Sequence, residues 1–443
     1  MANPKVNRSA NRQNIAIVGA GYAGLSAAWD LANAGHNVTI FEAANHVGGL
    51  ASGFKEPGWD WSVEKFYHHW FESDTAMMGL IGELGLRDKV IFPRPLTVMY
   101  HNGKFYPLDS IINAIKFPGL GWGINKIRFG LVGLFLRLTT NWQALEKTTV
   151  DQWMRKWTGN TVYEMMWEPL VVGKFGETYA KQVNMAWMWA RLHARTTRLG
   201  TYTGGFQAFA DDMVAILQQR GVNFKLSKAV TEIEKVETGK VLITAGGEKL
   251  TFDKALLTTS PQHASQTIKA LPEDYLRNLL QLKSIGAVVL ALSVKHQFSK
   301  EGYYWYNIPK SAGFPFLAVV EHTNYVSPKN FNGDHILYIG DYLETDHPFF
   351  DMESDQLVSE FLPYLQKINP EFSKAWINKA WLHKAKYAQP VPLVDHSKNI
   401  PNIKTPIEGI FFCSMSHIYP WDRGTNFAVE LGRRTANIIL NDI

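Results

Sequence analysis

Cysteine is almost absent from this sequence. The single copy, Cys413, excludes an intrachain disulfide bond and a thiolate-rich zinc site, and it favours a reducing, cytoplasmic compartment. Long apolar runs are absent too, because the nearest candidate, FGLVGLFL at 129–136, lies between Arg128 and Arg137 and is too short to cross a bilayer as a helix. Neither sign of charge dominates: 45 Lys and Arg residues face 40 Asp and Glu residues. The net charge of +5 therefore predicts no nucleic-acid partner.

The composition is that of a packed globular protein. Apolar residues make up 46% of the 443 residues and charged residues 19%, and this length has room for two domains. The first residues, MANPKVNRSANRQ, are polar and basic, so we expect a flexible arm there rather than a secretory signal peptide. The histidines show no zinc-type ligand spacing, and no metal site is predicted.

A glycine-rich turn near the amino terminus carries the first functional signal. The run GAGYAG follows a predicted buried strand, NIAIV at 14–18, and precedes a predicted helix at 22–34. A second strand, NVTIF at 37–41, ends at Glu42, which comes 23 residues after Gly19. Strand, helix, strand and acidic residue stand at the spacing of a dinucleotide-binding βαβ unit.

Each residue of this unit has a physical role. Gly19 permits the tight turn, Gly21 lets the backbone approach a pyrophosphate, and Gly24 lets the helix pack closely on the strand. The amides at the helix start face the phosphates. Glu42 accepts hydrogen bonds from ribose hydroxyls and would repel a 2′-phosphate, so NADP is disfavoured. This spacing alone does not decide whether the bound dinucleotide is NAD or FAD.

A glycine pair, Gly48 and Gly49, follows Glu42 and offers a second close approach of backbone to cofactor. With this pair, the run GAGYAG…FEAANHVGGLA resembles the FAD-binding start of the superfamily that contains flavin amine oxidases, protoporphyrinogen oxidase and phytoene desaturases. The resemblance implies noncovalent FAD. Motif and resemblance together predict these cofactor-binding residues: Gly19, Gly21, Ala23, Gly24, Glu42, Ala43, Gly48, Gly49, Leu50, Val230, Ser414, Gly424, Thr425 and Asn426.

Further segments resemble the same superfamily: TYTGGFQAFADDMVAIL, the short strands of 222–261, and the carboxyl-terminal run GIFFCSMSHIYPWDRGTNFAVELGRRTANIIL. In relatives, the amides at the start of the last helix face the flavin. Two departures stand out. Leu50 replaces a frequent arginine. Relatives usually have Gly-Asp at the end of the carboxyl-terminal strand, whereas here Phe412 is followed by Cys413, Ser414, Met415 and Ser416, of which Ser414 or Ser416 would donate hydrogen bonds instead.

These motifs predict an α/β fold with a discontinuous, Rossmann-like FAD-binding domain. That domain would take residues 1–75, 200–265 and 396–443. The intervening segments, 76–199 and 266–395, would form a substrate domain in which a mixed sheet is covered by helices.

The segment 111–138 is amphipathic. Its apolar residues recur at three- and four-residue steps on one predicted helical face: Ile124, Ile127, Leu131, Leu134 and Leu138. Two interpretations remain open. The face packs on the domain core, which we favour narrowly, or it lies in a membrane interface with its lysines and arginines at the headgroups.

Candidate reactive residues lie in two places. His417, Tyr419 and Asp422 stand in the loop before the last helix, where one of them would act as a general acid or base. Arg191 and Arg195 share a helical face and would hold an anionic substrate head or the cofactor phosphates.

The residues and the resemblance together indicate an FAD-dependent oxidoreductase that is nearest in character to phytoene desaturases. It would dehydrogenate or isomerise a small apolar, isoprenoid or lipid-like substrate, with peripheral membrane contact. One alternative is a flavin amine oxidase, which is weakened because the strand SIGAVVLALSV at 284–294 lacks the lysine usual in that group. The other is a non-redox flavoenzyme such as a sugar-nucleotide mutase.

Overall fold

The computed structural model describes residues 12–108, 110–121, 123–194, 196 and 198–443. The arm predicted at the amino terminus falls almost wholly outside the described residues, and Arg195 does too.

The helices are numbered in chain order as α1 Tyr22–Asn33, α2 Thr75–Glu83, α3 Ile111–Lys116, α4 Ile124–Leu138, α5 Trp142–Leu145, α6 Val150–Thr158, α7 Asn160–Val162, α8 Glu168–Ala180, α9 Met185–Ala194, α10 Phe206–Gln219, α11 Pro261–Thr267, α12 Glu273–Gln281, α13 Ser354–Ile368 and α14 Thr425–Leu440.

The strands are β1 Asn14–Val18, β2 Asn37–Phe41, β3 Gly53–Phe54, β4 Val63–Glu64, β5 Trp70–Phe71, β6 Val90–Ile91, β7 Leu96–His101, β8 Lys104–Pro107, β9 Leu199–Tyr202, β10 Asn223–Lys225, β11 Val230–Lys235, β12 Val241–Ala245, β13 Glu248–Phe252, β14 Lys254–Leu257, β15 Ser284–Val294, β16 Tyr303–Asn307, β17 Ala318–Glu321, β18 His335–Leu343, β19 Ile377–Pro390 and β20 Ile410–Phe412.

A parallel sheet with the strand order β10-β2-β1-β14-β20 forms the nucleotide-binding layer. Its central strand, β1, is apolar and buried from Ile15 to Val18 because helices and strands cover both faces of a parallel sheet. The chain leaves β1 towards β2 on one side and adds β14 on the other. The order of strands therefore reverses at β1, which opens a crevice at the carboxyl ends of the strands.

Three separated parts of the chain supply this sheet, as the prediction of a discontinuous Rossmann-like domain requires. The last helix, α14, packs directly on the first, α1. A Cβ atom at Gly432 would lie 2.2 Å from the carbonyl oxygen of Ala23, so glycine lets the two helices meet backbone to backbone. Cys413 is fully buried in the same core, where burial raises the pKa of its thiol to about 11.

The second large sheet has seven strands in the order β19-β15-β18-β17-β16-β7-β8, with parallel pairing between β16 and β7. Its long strand β15 is buried on both faces. Val288, Leu290 and Leu292 belong to the core under α13, and the alternate residues Val289 and Ala291 belong to the core on the opposite face. A mixed sheet covered by helices was expected here. The exact domain boundaries stay a prediction.

Helix α4 departs from the favoured interpretation. The predicted apolar face points outward, and Ile124, Leu131 and Leu138 are 58%, 62% and 71% exposed. The helix instead buries Val132 and Leu136 against a core built by neighbouring helices. The prediction that this face packs on the core is wrong, because α4 has a second apolar stripe and the neighbouring helices cover that stripe, with Val132 and Leu136, instead of the predicted face. No helix in the described ranges is long and apolar enough to span a membrane.

Candidate functional site

The turn between β1 and α1 is closed by backbone contacts that exclude side chains. A Cβ atom at Gly24 would lie 2.0 Å from the carbonyl oxygen of Gly19. Gly21 faces Gly49, and a Cβ atom at Gly49 would lie 3.2 Å from Cα of Gly21. The backbone N–H of Gly48 donates to the same turn. The two glycine-rich segments therefore lie against each other at the carboxyl end of β1.

Glu42 lies at the end of β2, beside this turn. Its carboxylate accepts hydrogen bonds from the backbone N–H groups of Ala20, at 2.8 Å, and Ala44, at 2.9 Å. Each carboxylate oxygen keeps a lone pair for a further donor. Ala43, next in the chain, is exposed, and Val230 is buried in the core cluster that contains the last residues of β1 and β2.

The start of α14 presents backbone amides because its side chains are engaged elsewhere. Gly424 precedes the helix, and no side chain caps it. The hydroxyl of Thr425 accepts from the indole N–H of Trp70 at 2.9 Å, and the amide oxygen of Asn426 accepts from the backbone N–H of Met77 at 3.0 Å. The first-turn N–H groups lack acceptors within the helix, and they form its positive end.

A cavity of about 270 Å³ opens in front of α14, and it is here called the main cavity because it adjoins the start of that helix. Gly424, Thr425, Asn426, Asp422 and Arg191 line one part of it. Apolar side chains line much of the remainder, among them Met99, Leu170, Ile308, Leu317, Trp421 and Phe427.

A smaller cavity of about 60 Å³ reaches Leu50, after the glycine pair. Both cavities are lined by Tyr67, His68, Tyr342 and Arg423. These shared residues connect the glycine-rich segments with the start of α14.

Asp422 is the anchor of one cavity wall. Its carboxylate contacts the guanidinium of Arg191 at 2.5 Å and accepts from the indole N–H of Trp187 at 3.0 Å. Burial alone would raise the pKa of Asp422, but the positive charges of Arg191 and Lys174 outweigh it and hold this pKa well below its usual range. Asp422 is therefore a fixed anion that orients Arg191.

Tyr342 is surrounded by cations. Its hydroxyl accepts hydrogen bonds from Lys174, at 3.3 Å, and from Arg423. Burial would raise the pKa of Tyr342, yet the charges of Arg423 and Lys174 overcome it and lower the pKa below its ordinary value. His68, beside them, contacts the carbonyl oxygen of Phe66, and burial lowers its pKa to about 4. His68 is neutral at neutral pH.

The residues at this site fit a dinucleotide such as FAD. Neither α1 nor α14 carries a side-chain cap, so both helix starts offer amides to anionic or carbonyl oxygens. A Cβ atom at Gly21 would meet only Cα of Gly49, at 3.9 Å, so the surface in front of Gly21 is open and has room for a cofactor. Glu42 retains acceptor capacity for ribose hydroxyls.

Comparison with known families decides the identity. The family described as flavin containing amine oxidoreductase matches residues 22–440. The chain belongs to this family. Membership confirms the predicted superfamily and FAD as the cofactor of this flavoprotein, and it identifies an oxidoreductase.

Individual relatives are distant or partial. The chain is 32% identical to 15-cis-phytoene desaturase of Capsicum annuum over 161 residues, which cover 32% of this chain and 27% of the pepper protein. It is 22% identical to a protein of Synechococcus elongatus named Probable zeta-carotene desaturase, over 96% of this chain and 98% of that protein. Reduced UDP-galactopyranose mutase has the same fold, with a TM-score of 0.76 and 14% identity over 98% of this chain and 94% of that chain. The predicted fold class is confirmed.

The structure brings some predicted site residues of the flavoprotein together and leaves others apart. Asp422 and Arg191 meet at the main cavity, next to the start of α14. His417 and Tyr419 line a different surface depression instead. Arg195 lies outside the described residues.

The side chains of Ser414 and His417, which are buried, and of Tyr419, which is half-buried, are engaged with neighbours. The hydroxyl and backbone nitrogen of Ser414 both contact Nδ1 of His417, at 3.1 and 3.2 Å. Tyr419 donates to Glu146 at 2.9 Å and accepts from Asn184. The roles predicted for Ser414, His417 and Tyr419 stay predictions.

Sequence reasoning missed Tyr342 and Arg423 of the flavoprotein. Arg423 stands between two residues that were singled out, Asp422 and Gly424, so its position was a usable signal. Tyr342 lies at the end of an apolar strand, YIGDYL, where nothing local marks it.

Proposed function

We propose that this flavoprotein dehydrogenates an apolar, lipid-like substrate, with linear isoprenoids as the first class to test. The observation that carries the proposal is the lining of the main cavity, where Leu170, Leu317 and Trp421 line the same space as the start of α14. Such a surface orients a hydrocarbon by contact area rather than by hydrogen bonds. The partial likeness to the pepper phytoene desaturase and the longer, weaker likeness to the Synechococcus protein support the same substrate class.

The strand beneath the site favours this reaction over amine oxidation. Ala287 and Val289 of β15 line the smaller cavity, and β15 contains no lysine. A hydrocarbon needs no basic residue to bind, whereas an amine needs groups that accept its protons. The apolar strand therefore fits a desaturase better than a flavin amine oxidase.

The protein's own residues would hold the cofactor and keep the site dry. The amides of α1, the groove between Gly21 and Gly49, and Glu42 would hold the dinucleotide. When bound, FAD supplies a hydride acceptor, and a quinone or oxygen would reoxidise it. Neutral His68 and the aromatic rings of Trp305 and Trp421 line the cavity and limit the access of water.

We also propose that the substrate is reached from a membrane surface. The exposed apolar side chains of two neighbouring helices, here called the α3–α4 surface, are Ile112, Ile115, Ile124, Ile127, Leu131, Leu134, Phe135 and Leu138. Complete burial of such a side chain is worth about 1.5–3 kcal/mol, and each of these partly exposed side chains gives up a share of that free energy in the protein alone. Residues 110–145 contain Lys116, Lys126, Arg128 and Arg137 but no Asp or Glu, a pattern that suits an anionic bilayer.

Anaerobic absorbance measurements test the proposed reaction. The holoenzyme is mixed with phytoene in detergent micelles, with putrescine, or with empty micelles. Bleaching of the flavin band by phytoene alone, with a desaturated product, supports the proposal. Bleaching by the amine, with hydrogen peroxide release in air, would replace it with amine oxidation. Turnover of UDP-galactopyranose by dithionite-reduced enzyme without net oxidation would replace it with a mutase.

A further inference from the structure

One wall of the main cavity carries more positive charge than its carboxylates neutralise. Lys174, Arg191 and Arg423 lie on this wall, and only Arg191 pairs with a carboxylate, that of Asp422. Lys174 and Arg423 form no ion pair within the described part of the chain. Asp74 also lines the cavity, but its carboxylate accepts from the backbone N–H of Phe71 and does not approach the two cations.

The oxygen of Tyr342 is occupied as an acceptor, so the polar hydrogens are what this group of side chains still offers to a ligand. Lys174 and Arg423 both donate to its hydroxyl oxygen, so the phenol proton is what Tyr342 still offers. The described residues contain no acceptor for that proton. The ammonium of Lys174 and the guanidinium of Arg423 therefore share one uncharged acceptor, the Tyr342 oxygen. Nε of Arg423 also donates to Gln389. Within the described part of the chain, no carboxylate accepts from either side chain. Half-buried cations in this situation are costly, and burial lowers the pKa of Lys174.

Apolar surface continues directly from this group of donors. Leu170 precedes Lys174 by one helical turn of α8 and lines the same cavity. Met99, Ile308 and Leu317 extend the apolar lining. A ligand that satisfies both parts has an anionic oxygen group at one end and a hydrocarbon body.

We propose that Lys174, Arg423 and Tyr342 form a subsite for the anionic oxygen group, a carboxylate or a phosphate, of an otherwise apolar substrate. This inference rests on the proposed function, because it adds a charged head to the lipid-like substrate. Arg423 and Tyr342 also line the smaller cavity, so they could serve the cofactor instead. Lys174 lines the main cavity but not the smaller one, so a variant of Lys174 tests the subsite most directly.

Four eight-carbon probes separate head-group charge from apolar contact: octanoate, octyl phosphate, 1-octanol and octyltrimethylammonium. Binding to the holoenzyme is measured by equilibrium dialysis and by the perturbation of the flavin absorbance spectrum. We expect octanoate or octyl phosphate to bind about tenfold or more tightly than 1-octanol, since charge-assisted hydrogen bonds are the stronger ones. The tighter of the two anions distinguishes a carboxylate from a phosphate head.

Lys174→Met removes the ammonium and keeps the length of the side chain. The matched control is Lys181→Met, at the exposed end of the same helix. We expect Lys174→Met to weaken the binding of the anion about tenfold and to leave 1-octanol unchanged, while Lys181→Met changes neither. Lys174→Gln is the second variant if Lys174→Met fails to fold, as judged by its circular dichroism melt and FAD content.

Three results would overturn the subsite. The anions could bind no better than 1-octanol, or bind as tightly to Lys174→Met as to the wild type. Alternatively, Lys174→Met could shift the flavin reduction potential and leave octanoate binding intact, which would assign the cations to the cofactor. In these cases 1-octanol still binds and the proposed function survives. If none of the four probes binds, the subsite and the apolar substrate both fail.

Discussion

The carbonyl oxygen of Ala23 lies where a side chain at Gly432 would begin, with 2.2 Å between that oxygen and a Cβ atom placed on the glycine. The first and last helices of the flavoprotein therefore meet at a point that admits only hydrogen. Ser26 strengthens the contact by donating to the carbonyl oxygen of Val429. The nucleotide-binding layer depends on this junction.

The first prediction follows from that junction. Gly432→Ala should lower the free energy of unfolding by about 1–3 kcal/mol, because overpacking forces the helices apart. Gly79→Ala is the matched control, since Gly79 is an exposed helical glycine with no atom near its added Cβ. That control should raise stability by about 0.5–1 kcal/mol through helix propensity. Urea denaturation of both variants makes the comparison, and equal effects would contradict the packing argument.

The second prediction separates folding from cofactor binding. Gly21→Ala should fold normally, because its Cβ meets only Cα of Gly49 at 3.9 Å, yet it should bind FAD about tenfold or more weakly, because the groove is narrowed. Gly24→Ala should instead destabilise the protein, since its Cβ would lie 2.0 Å from the carbonyl oxygen of Gly19. FAD content after gel filtration and thermal melts distinguish the two. Full FAD retention by Gly21→Ala would count against the site.

The third prediction concerns pH. Glu64 is buried, its carboxylate accepts from the backbone N–H of Phe206, and burial raises its pKa to about 7. The folded protein thus holds this proton more tightly than the unfolded chain, so stability is greatest below the unfolded pKa and falls as the pH rises towards about 7.

Glu64→Gln should remove this loss of folding stability with rising pH, which is on the order of 3 kcal/mol at most between the unfolded and folded pKa values of Glu64. The measurement is the free energy of unfolding between pH 4.5 and pH 8, where the wild-type curve should fall relative to the variant. Glu360→Gln, on the exposed side of α13, should follow the wild type. Parallel curves for Glu64→Gln and the wild type would show that folding does not raise the pKa of Glu64.

The fourth prediction tests the α3–α4 surface. The wild type should sediment with vesicles that contain phosphatidylglycerol, and the double variant Leu131→Glu with Leu134→Glu should stay in solution. Leu280→Glu is the matched control, since Leu280 is 53% exposed on α12, away from this surface. Sedimentation of the double variant would contradict a bilayer contact. A concentration-dependent mass in light scattering, lost in the double variant, would indicate a second copy of the chain instead.

The nucleotide-binding part was predictable because local backbone constraints mark it. Gly24 needs glycine because a Cβ atom there would lie 2.0 Å from the carbonyl oxygen of Gly19 in the same turn, and Gly19 itself has a φ of +107°. Neighbouring strands add the periodic apolar pattern of a parallel sheet. These signals can be recognised in a single sequence without the folded structure.

The cavity wall could not be predicted in the same way. Lys174, Tyr342 and Arg423 come from α8, β18 and the loop before α14, and only the folded chain brings them together. The buried stripe of α4 was missed for a related reason. An apolar periodicity shows that a helix has an apolar face, but the packing of the neighbouring helices determines which part of the helix is buried.

The position of α14 has a consequence for biosynthesis. Residues 425–440 pack on α1 and would supply one edge of the proposed FAD site, whereas the glycine turn of that site lies near the start of the chain and is synthesised much earlier. A nascent chain on the ribosome cannot assemble this site until residue 440 has emerged. We therefore expect that the chain binds FAD only after α14 has been synthesised, and that a variant truncated before α14 lacks the visible absorbance of a bound flavin.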